Sequence, residues 1–541
     1  MKSRVPASLD MLSLADREQL MTAVRRGASR RDMLGLLGGL GITAGFGGGL
    51  IGQASNAWAQ TAKKGGRIKV AGFSTSTADT LDPAKQSLST DYVRCTMFYN
   101  GLTELAPDLS PKLALAESIT HDKATVWTIK LRKGVQFHDG KELNSEDVVY
   151  SLSRHAKPET GSKAKALADQ MQDIKANGPL EVQITLKSPN ADFPVVLGTY
   201  HFLIVKAGTT DFSKAVGTGP YLCKEFAPGV RSISVRNPNY WKQGVGPYID
   251  EIEFIGIPDA GARVNALISG DVDFIGSINP NAAKQILAAK GLEIFETKAG
   301  NYTDLVMRMD SDPGKNADFV LGMKYLFNRD LIKRSVLQGY GDIANDHPVP
   351  PLNRYHAADI PQRPFDPDKA KFHLEKAGML NTPLPLVTSP AASSSVEMGL
   401  VLQQAAQKIG LKIDLKQVPA DGYWSNYWMK VPVGFGNINP RPTADILFSL
   451  FFKSDAPWNE SAWKNEKFDQ TLVAARAEAD ETKRRQMYRD MQVMIHESSG
   501  IGVPVFISNL DAHTSKIKGL KASGLGGMMG YSFGEHVWLD A

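Results

Sequence analysis

The chain has 541 residues, 42% hydrophobic and 22% charged, an ordinary globular composition in a chain long enough for two or more lobes. Its formal net charge is +5, and +2 without the basic first 59 residues, so no strongly basic surface is expected for nucleic acid or anionic lipid. Two cysteines, Cys95 and Cys223, exclude a disulfide-rich scaffold, and the sequence leaves open whether they form one disulfide or stay two thiols.

The first 59 residues have the order of a secretory signal peptide. Arg30 and Arg31 precede a Gly-, Ala- and Leu-rich stretch at about 34–51, and a small-x-small cleavage site ends at Ala59. Paired arginines before a weakly apolar stretch resemble the twin-arginine type of signal. A membrane anchor is the weaker alternative, because the stretch barely reaches the roughly 20 apolar residues that a span needs. We therefore expect cleavage near Ala59 and a mature chain in the periplasm.

Strand and helix signals are mixed along the rest of the chain, which predicts an α/β fold. The alternating segment at 126–131 predicts a strand, and Asn144 or its successor can cap a helix whose first turn is acidic. Apolar residues at helical spacing predict two helices, at 468–475 and 487–495. An apolar strand is predicted to follow at 505–507.

Residues that could suggest catalysis lack the partners that a reaction needs. His138 belongs to a His-Asp-Gly sequence that is typical of a tight turn between strands. His496 precedes a glutamate but has no second histidine at the spacing of a zinc-protease helix. No G-x-S-x-G nucleophile elbow occurs. We expect neither an enzyme nor a bound metal or cofactor.

Ten short blocks carry a family resemblance that covers essentially everything after residue 65. The blocks are TLDP at 80–83, NGLT at 100–103, LALAES at 113–118, WTIKLRKGVQFHDG at 127–140, DVVYSL at 147–152, GTGPY at 217–221, RNPNYW at 236–241, GDVD at 270–273, DPDKA at 366–370 and VPVF at 503–506. In this order they resemble the dipeptide- and oligopeptide-binding receptors, the family 5 extracellular solute-binding proteins. One block alone would be unspecific, but ten in family order identify the resemblance.

The resemblance implies an enlarged type II periplasmic-binding-protein clamp of two lobes, with an extra subdomain on the first lobe. The implied division is 60–90, 216–300 and 505–541 for lobe I, 91–215 for its extra subdomain, and 301–504 for lobe II. Two crossings of the chain, near 300 and 504, would form the hinge. A ligand that touches both lobes binds the closed state and shifts the population towards it.

The resemblance also implies a function in transport. The chain would be the monomeric substrate-binding protein of an ABC importer, which delivers a peptide-like or opine-like solute to permease subunits in the inner membrane. A secreted peptide-binding chaperone or sensor would use the same clamp and stays an alternative. A secreted hydrolase is a further alternative, which lacks a catalytic motif.

The resemblance places two charged positions in the ligand site. Arg363 stands where dipeptide-binding relatives carry an arginine for the ligand carboxylate, a role that suits its bidentate fork. An equally weighted alternative is a surface arginine ahead of a helix. Where those relatives carry an acid for the ligand ammonium, this chain has Asn439 or Pro440, followed by Arg441. This charge inversion predicts a more anionic ligand, such as an opine or another acidic amino-acid conjugate.

The remaining candidates surround that segment. Asp445 could be a ligand contact or the cap of the following helix, and the aromatic residues could line the pocket or pack in the core. The complete set of predicted ligand-binding residues is Arg363, Tyr423, Trp424, Asn437, Asn439, Arg441, Asp445 and Trp458.

Overall fold

The computed structural model describes residues 62–242 and 244–540. The predicted signal peptide at 1–59 and its cleavage site lie outside the described residues. Strands and helices alternate through the body formed by Gly65–Val537, as the mixed sequence signals predict. Within the described ranges, no helix combines the length and apolar character that a membrane span requires.

The bounds of the elements are as follows. The strands are β1 Arg67–Gly72, β2 Thr103–Leu105, β3 Pro111–Leu113, β4 Ala116–Asp122, β5 Val126–Leu131, β6 Met171–Ala176, β7 Glu181–Leu186, β8 Tyr221–Ala227, β9 Arg231–Arg236, β10 Glu251–Gly256, β11 Phe274–Ile275, β12 Leu292–Met307, β13 Gly341–Ile343, β14 Leu384–Thr388, β15 Ile413–Gln417, β16 Val433–Ile438, β17 Ile501–Gly502, β18 Val505–Thr514, β19 Ile517–Lys518 and β20 Trp538–Leu539. The longer helices are α1 Ser89–Phe98, α2 Ser145–Ser153, α3 Ala260–Ser269, α4 Ala317–Tyr325, α5 Pro367–Lys376, α6 Ser395–Lys408, α7 Ala444–Phe451, α8 Glu466–Ala477 and α9 Glu481–Ser498. Shorter α- and π-helical turns lie at Lys165–Ala168, Phe193–Leu197, Ala283–Ala288, Arg329–Leu331, Ile332–Val336, Tyr423–Asn426 and Gly527–Gly530, and 3-10 turns at Arg154–Ala156, Pro158–Thr160, Tyr200–Phe202, Pro280–Ala282 and Phe533–Glu535.

Local sequence signals account for several of these bounds. Asn144 begins α2: its side chain accepts hydrogen bonds from the backbone N–H groups of Glu146 and Asp147, and the Asp147 carboxylate accepts one from Asn144 in return. This reciprocal capping satisfies backbone donors that the first helical turn leaves unpaired. The predicted apolar helices at 468–475 and 487–495 lie within α8 and α9.

A large mixed sheet has the strand order β16-β12-β18-β11-β1-β10-β9-β8, with β13 beside β18 and β17 beside β12. Strand β1 runs parallel to both β10 and β11. A separate antiparallel sheet, β4-β5-β7-β6, lies within the segment 91–215 that was expected to form the extra subdomain. Its buried face packs in a hydrophobic cluster that includes Trp127 and Phe193.

Two long antiparallel strands lie where the chain was expected to cross between lobes. The first half of β12 pairs with 509–514 of β18, the register shifts between Thr297 and Asn301, and the second half pairs with β16. Gly300 at the shift has a φ of 101°, and a Cβ there would come within 2.4 Å of the Pro350 ring. The close approach and the left-handed backbone both require glycine at this point.

The two cysteines are free thiols: Cys95 is buried and Cys223 is half-buried. Of the two alternatives left by the sequence, the structure therefore selects two separate thiols.

Candidate ligand-binding site

A cavity of about 1680 Å³ opens between the segments expected to form lobe I and the segment 301–504. The long strands β12 and β18 contribute Asn301 and residues 507–511 to its wall. Residues 390–397 and the loop between β16 and α7 line it from the side of lobe II. Ligand pockets are typically about 300–1,000 Å³, so this cavity has room for a solute of several units with water around it.

The cavity brings together most of the residues predicted from the sequence and leaves three of them outside its wall. The lining residues are Asn437, Asn439, Arg441, Asp445 and Trp458. The residues that do not line it are Arg363, Tyr423 and Trp424. The first four of these lining residues lie at the end of β16, at the start of α7 and in the loop between them, so they are close together along the chain.

Arg441 presents a positive charge to the cavity. Its Nη1 donates to the main-chain oxygens of Asn439, at 2.9 Å, and Pro440, at 3.1 Å. The guanidinium also lies 5.3 Å from the Phe451 ring centroid, a cation–π contact. Among residues 62–242 and 244–540 it has no carboxylate partner, and Nε and Nη2 have no hydrogen-bond acceptor. Partial burial lowers the pKa of Arg441, but a guanidinium remains charged in proteins.

Asp445 is an ion-pair partner and does not cap α7. Its two carboxylate oxygens accept hydrogen bonds from Arg476 Nε at 3.0 and 3.1 Å. The cap is Thr443, whose hydroxyl accepts from the backbone N–H of Ile446 at 2.9 Å. Burial raises the pKa of Asp445, while the neighbouring Arg476 opposes that rise. The alternative role of Asp445 as a helix cap was therefore wrong.

The side chains of Asn437 and Asn439 differ in their hydrogen bonds and in their exposure. Asn437 donates to the Tyr302 carbonyl at 3.2 Å and to the Thr303 hydroxyl at 2.9 Å, which fastens β16 to β12. The Asn439 side chain is exposed at the cavity wall. Trp458, 40% exposed, lines the cavity and packs against Phe451 with ring centroids 5.4 Å apart.

Arg363 is buried away from the cavity. Its Nε donates to Asp346 at 2.8 Å and its Nη2 donates to the His496 carbonyl at 2.9 Å. Only 8% of the residue is exposed, so the alternative of a surface arginine was wrong. Burial alone would raise the pKa of Asp346, but Arg329 and Arg363 hold it below its ordinary value. A ligand carboxylate would therefore have to displace Asp346 before it could bind Arg363.

Tyr423 and Trp424 have roles outside the cavity wall. Tyr423 is buried, and its hydroxyl donates to the Phe435 carbonyl at 2.6 Å. Trp424 is 42% exposed and meets Trp428 edge-on, with ring centroids 5.6 Å apart. The packing alternative therefore describes Tyr423.

Sequence reasoning missed an aromatic wall on the side of lobe I. The Tyr92 and Tyr531 rings stack with centroids 5.3 Å apart, and Tyr200 meets Tyr531 edge-on at 5.7 Å. All three line the cavity. Burial raises the pKa of Tyr92, and the charge of Arg441 acts against that rise. The three tyrosines come from distant parts of the chain, so no local pattern could have grouped them.

The charged groups of the wall are unequally paired. Asp445 is bound by Arg476, and Asp192 by Arg354. In contrast, Arg263 is buried and donates only to main-chain carbonyls, including Ser277 at 2.6 Å. The described part of the chain gives neither Arg263 nor Arg441 a salt-bridged carboxylate. Two arginines of the wall thus lack a salt-bridged carboxylate, while the acids Glu397 and Asp511 line the same cavity.

Asp511 is a buried acid of the wall. Asp511 accepts from the backbone N–H groups of Ser277, at 3.1 Å, and Met528. Burial raises its pKa to about 6. A carboxyl with this pKa is mostly ionised at pH 7, so it adds negative charge to the wall.

Comparison with known proteins places the chain among solute receptors. The model of the family described as bacterial extracellular solute-binding proteins, family 5 (middle), matches residues 110–460. The dipeptide-binding protein of Escherichia coli (strain K12) is 26% identical over 479 residues, which cover 80% of this chain and 87% of that protein.

Solved structures share the fold at lower sequence identity. The periplasmic binding protein DppA from Helicobacter pylori, in complex with the peptide STSA, has a TM-score of 0.71 at 21% identity, over 88% of this chain and 99% of that one. The binding protein AgaA from A. tumefaciens R10, in complex with agropinic acid, has a TM-score of 0.68 at 21% identity, with the same two coverages. These likenesses show the α/β two-lobe fold of type II periplasmic binding proteins.

Proposed function

This chain belongs to the bacterial extracellular solute-binding proteins of family 5, and from that membership we infer that it is the periplasmic substrate-binding protein of an ABC importer. It captures a solute in the cavity between its lobes and delivers it to permease subunits at the inner membrane. It acts as a monomer, without a catalytic step, after cleavage of a twin-arginine-type signal near Ala59. The lobes are those given by the crossings near 300 and 504, and β12 and β18 form the hinge.

The ligand in this proposal is a peptide-like solute or amino-acid conjugate that carries an acid group, of the kind that opines represent. The observation that carries it is Arg441, whose charge faces the cavity without a carboxylate partner in the described ranges. A desolvated charge is costly unless it is paired, so a ligand carboxylate at this point would be stabilised. Receptors of this fold have been solved with the peptide STSA and with agropinic acid, which supports both ligand classes.

The remaining contacts in the proposal are Asn439, Asp445 and Trp458, with Asn437 holding the strand beneath them. Trp458 offers an apolar surface to the body of the solute, as do the tyrosines of the aromatic wall. Asp445 acts through its pair with Arg476, which keeps that arginine neutralised and leaves Arg441 as the attractive charge on this side.

Calorimetric titration of the purified protein with agropinic acid and with the peptide STSA tests the proposal. We expect saturable binding of one molecule per chain, with a lower dissociation constant for agropinic acid than for STSA. Each compound should be recovered unchanged after incubation. Conversion of either compound would instead favour a hydrolase. Absence of binding by both would contradict the proposed ligand class.

A further inference from the structure

Three asparagines form a chain of hydrogen bonds along the wall of the cavity. Asn509 Nδ2 donates to Asn301 Oδ1 at 2.7 Å, and Asn301 Nδ2 donates to Asn439 Oδ1 at 3.0 Å. Asn509 lies on β18, Asn301 lies on β12, and Asn439 follows β16. All three line the cavity, so the two long strands are connected through side-chain amides to the predicted ligand site.

The direction of these hydrogen bonds decides whether the oxygen or the NH2 group of each amide is free to bind a ligand. An asparagine amide has an acceptor oxygen and a donor NH2 group. Because Asn509 occupies the oxygen of Asn301, the NH2 group of Asn301 is directed at Asn439. The oxygen of Asn439 is then engaged, and its NH2 group, which has no acceptor among the described residues, is left for the cavity.

A second donor stands beside that NH2 group. Arg441 donates to the main-chain oxygen of Asn439, which holds the guanidinium close to the same residue. The Asn439 amide and the guanidinium thus offer donors at one point of the wall. A ligand carboxylate accepts from both, whereas an ammonium group would meet donors and a like charge.

We propose that Asn301 and Asn509 are positioning residues that fix Asn439 as a hydrogen-bond donor, so that the site selects a ligand carboxylate over an ammonium group. The inference rests on the proposed function, because it concerns the ligand of the same cavity. Asn439 is the contact, and the two residues on β12 and β18 act through it.

Asn509→Asp tests the direction of the hydrogen bonds between the three asparagines. The substitution keeps the shape of the side chain, because an aspartate has the same number of heavy atoms as an asparagine. A carboxylate has acceptors only, so Asn301 must turn its NH2 group towards it and its oxygen towards Asn439. Asn439 then turns in response and exposes its oxygen to the cavity. We expect the affinity for agropinic acid to fall by about tenfold or more, since a donor at the ligand carboxylate is replaced by an acceptor.

Two variants control this experiment. Asn281→Asp adds the same charge at an exposed position of the cavity wall outside the asparagine chain, and so measures the effect of charge alone. Asn509→Ala releases Asn301 without adding charge and should weaken agropinic acid binding by about threefold, since it frees the chain without reversing it. Equal losses in N509D and N281D would overturn the inference. So would unchanged affinity in both N509D and N509A.

A measurement without ligand separates this inference from the proposed function. In protein labelled with 15N-asparagine, N509D should move the side-chain amide signals of both Asn301 and Asn439, and N281D should move neither. Unmoved Asn439 signals would overturn the inference even if ligand binding is normal. Moved signals in a protein that binds neither agropinic acid nor STSA would support the chain and reject the proposed ligand class.

Discussion

The carboxylate of Asp192 accepts a hydrogen bond from Arg354 Nη2 at 2.8 Å, and its other oxygen contacts Arg484. Asp192 lies in the segment proposed as the extra subdomain, and both arginines lie in the segment proposed as lobe II. The side chains of Asp192 and Arg484 are almost fully buried. Asp192 also lines the cavity, so this ion pair joins the two sides beside the ligand site.

Asp192→Asn should destabilise the protein by about 3 kcal/mol, because it leaves the buried charge of Arg484 without a counter-charge. Urea unfolding of the variant measures the loss. Asp169→Asn is the matched control: Asp169 forms an exposed pair with Lys165, and its loss should cost less than about 1 kcal/mol. Equal stability of the two variants would show that the contact across the cavity contributes nothing.

Arg441→Ala should weaken the binding of agropinic acid by about 1–3 kcal/mol, the range for a hydrogen bond to a charged group. Arg441→Lys keeps the charge but loses the planar fork, so it should recover only part of the affinity. Calorimetry of the three proteins gives the comparison. An unchanged dissociation constant in the alanine variant would remove Arg441 from the site.

Arg363→Met should act on stability and leave ligand affinity unchanged, since Arg363 is bound to Asp346 away from the cavity. Removing one partner from this buried cluster should cost about 3 kcal/mol. Urea unfolding and agropinic acid titration of the same preparation separate the two effects. Lost affinity at full stability would restore the role that the sequence first predicted for this arginine.

Stability should fall as the pH rises because of a buried carboxyl pair, Asp304 and Glu460. Trp428 donates to Glu460, and Tyr302 and Tyr423 lie beside the pair. Within the described part of the chain, neither Asp304 nor Glu460 has a salt-bridged cation. Burial raises the pKa of Glu460 from 4.5 to about 7, and burial together with Glu460 raises that of Asp304 well above its ordinary value.

Raised pKa values mean that the folded state holds protons which the unfolded chain releases. The stabilisation is complete below about pH 4.5 and is lost as the pH rises towards 7, by about 1.4 kcal/mol per pH unit for one proton. Glu460→Gln should reduce the dependence of the unfolding free energy on pH. Glu397→Gln, at an exposed position, should leave that dependence unchanged. Urea unfolding at several pH values measures both, and an equal slope in wild type and Glu460→Gln would contradict the assignment.

Local patterns predicted much of the fold because their causes are local. The cap at Asn144 and the strand at 126–131 depend on neighbouring residues only. The loop after β16 was placed at the site by the family resemblance, because it stands where peptide-binding relatives carry the acid for the ligand ammonium. The resemblance of ordered blocks added the two-lobe arrangement that spacing alone could not give.

The missed features depend on partners that a single sequence does not connect. Asp445 was considered as a cap, but Arg476, 31 positions on, binds it. Arg363 was placed in the site by the family resemblance, and its buried partner Asp346 could not be foreseen from the sequence. The asparagine chain depends on the register of β12, β16 and β18, which only the folded sheet sets.

Native mass spectrometry of the protein taken from the periplasm of its own host tests the central claim most directly. We expect one small molecule per chain, bearing a carboxylate, released unchanged on denaturation and present at lower occupancy in the Arg441→Ala variant. A chain that carries no small molecule when isolated and takes up neither agropinic acid nor STSA when they are added would contradict the account.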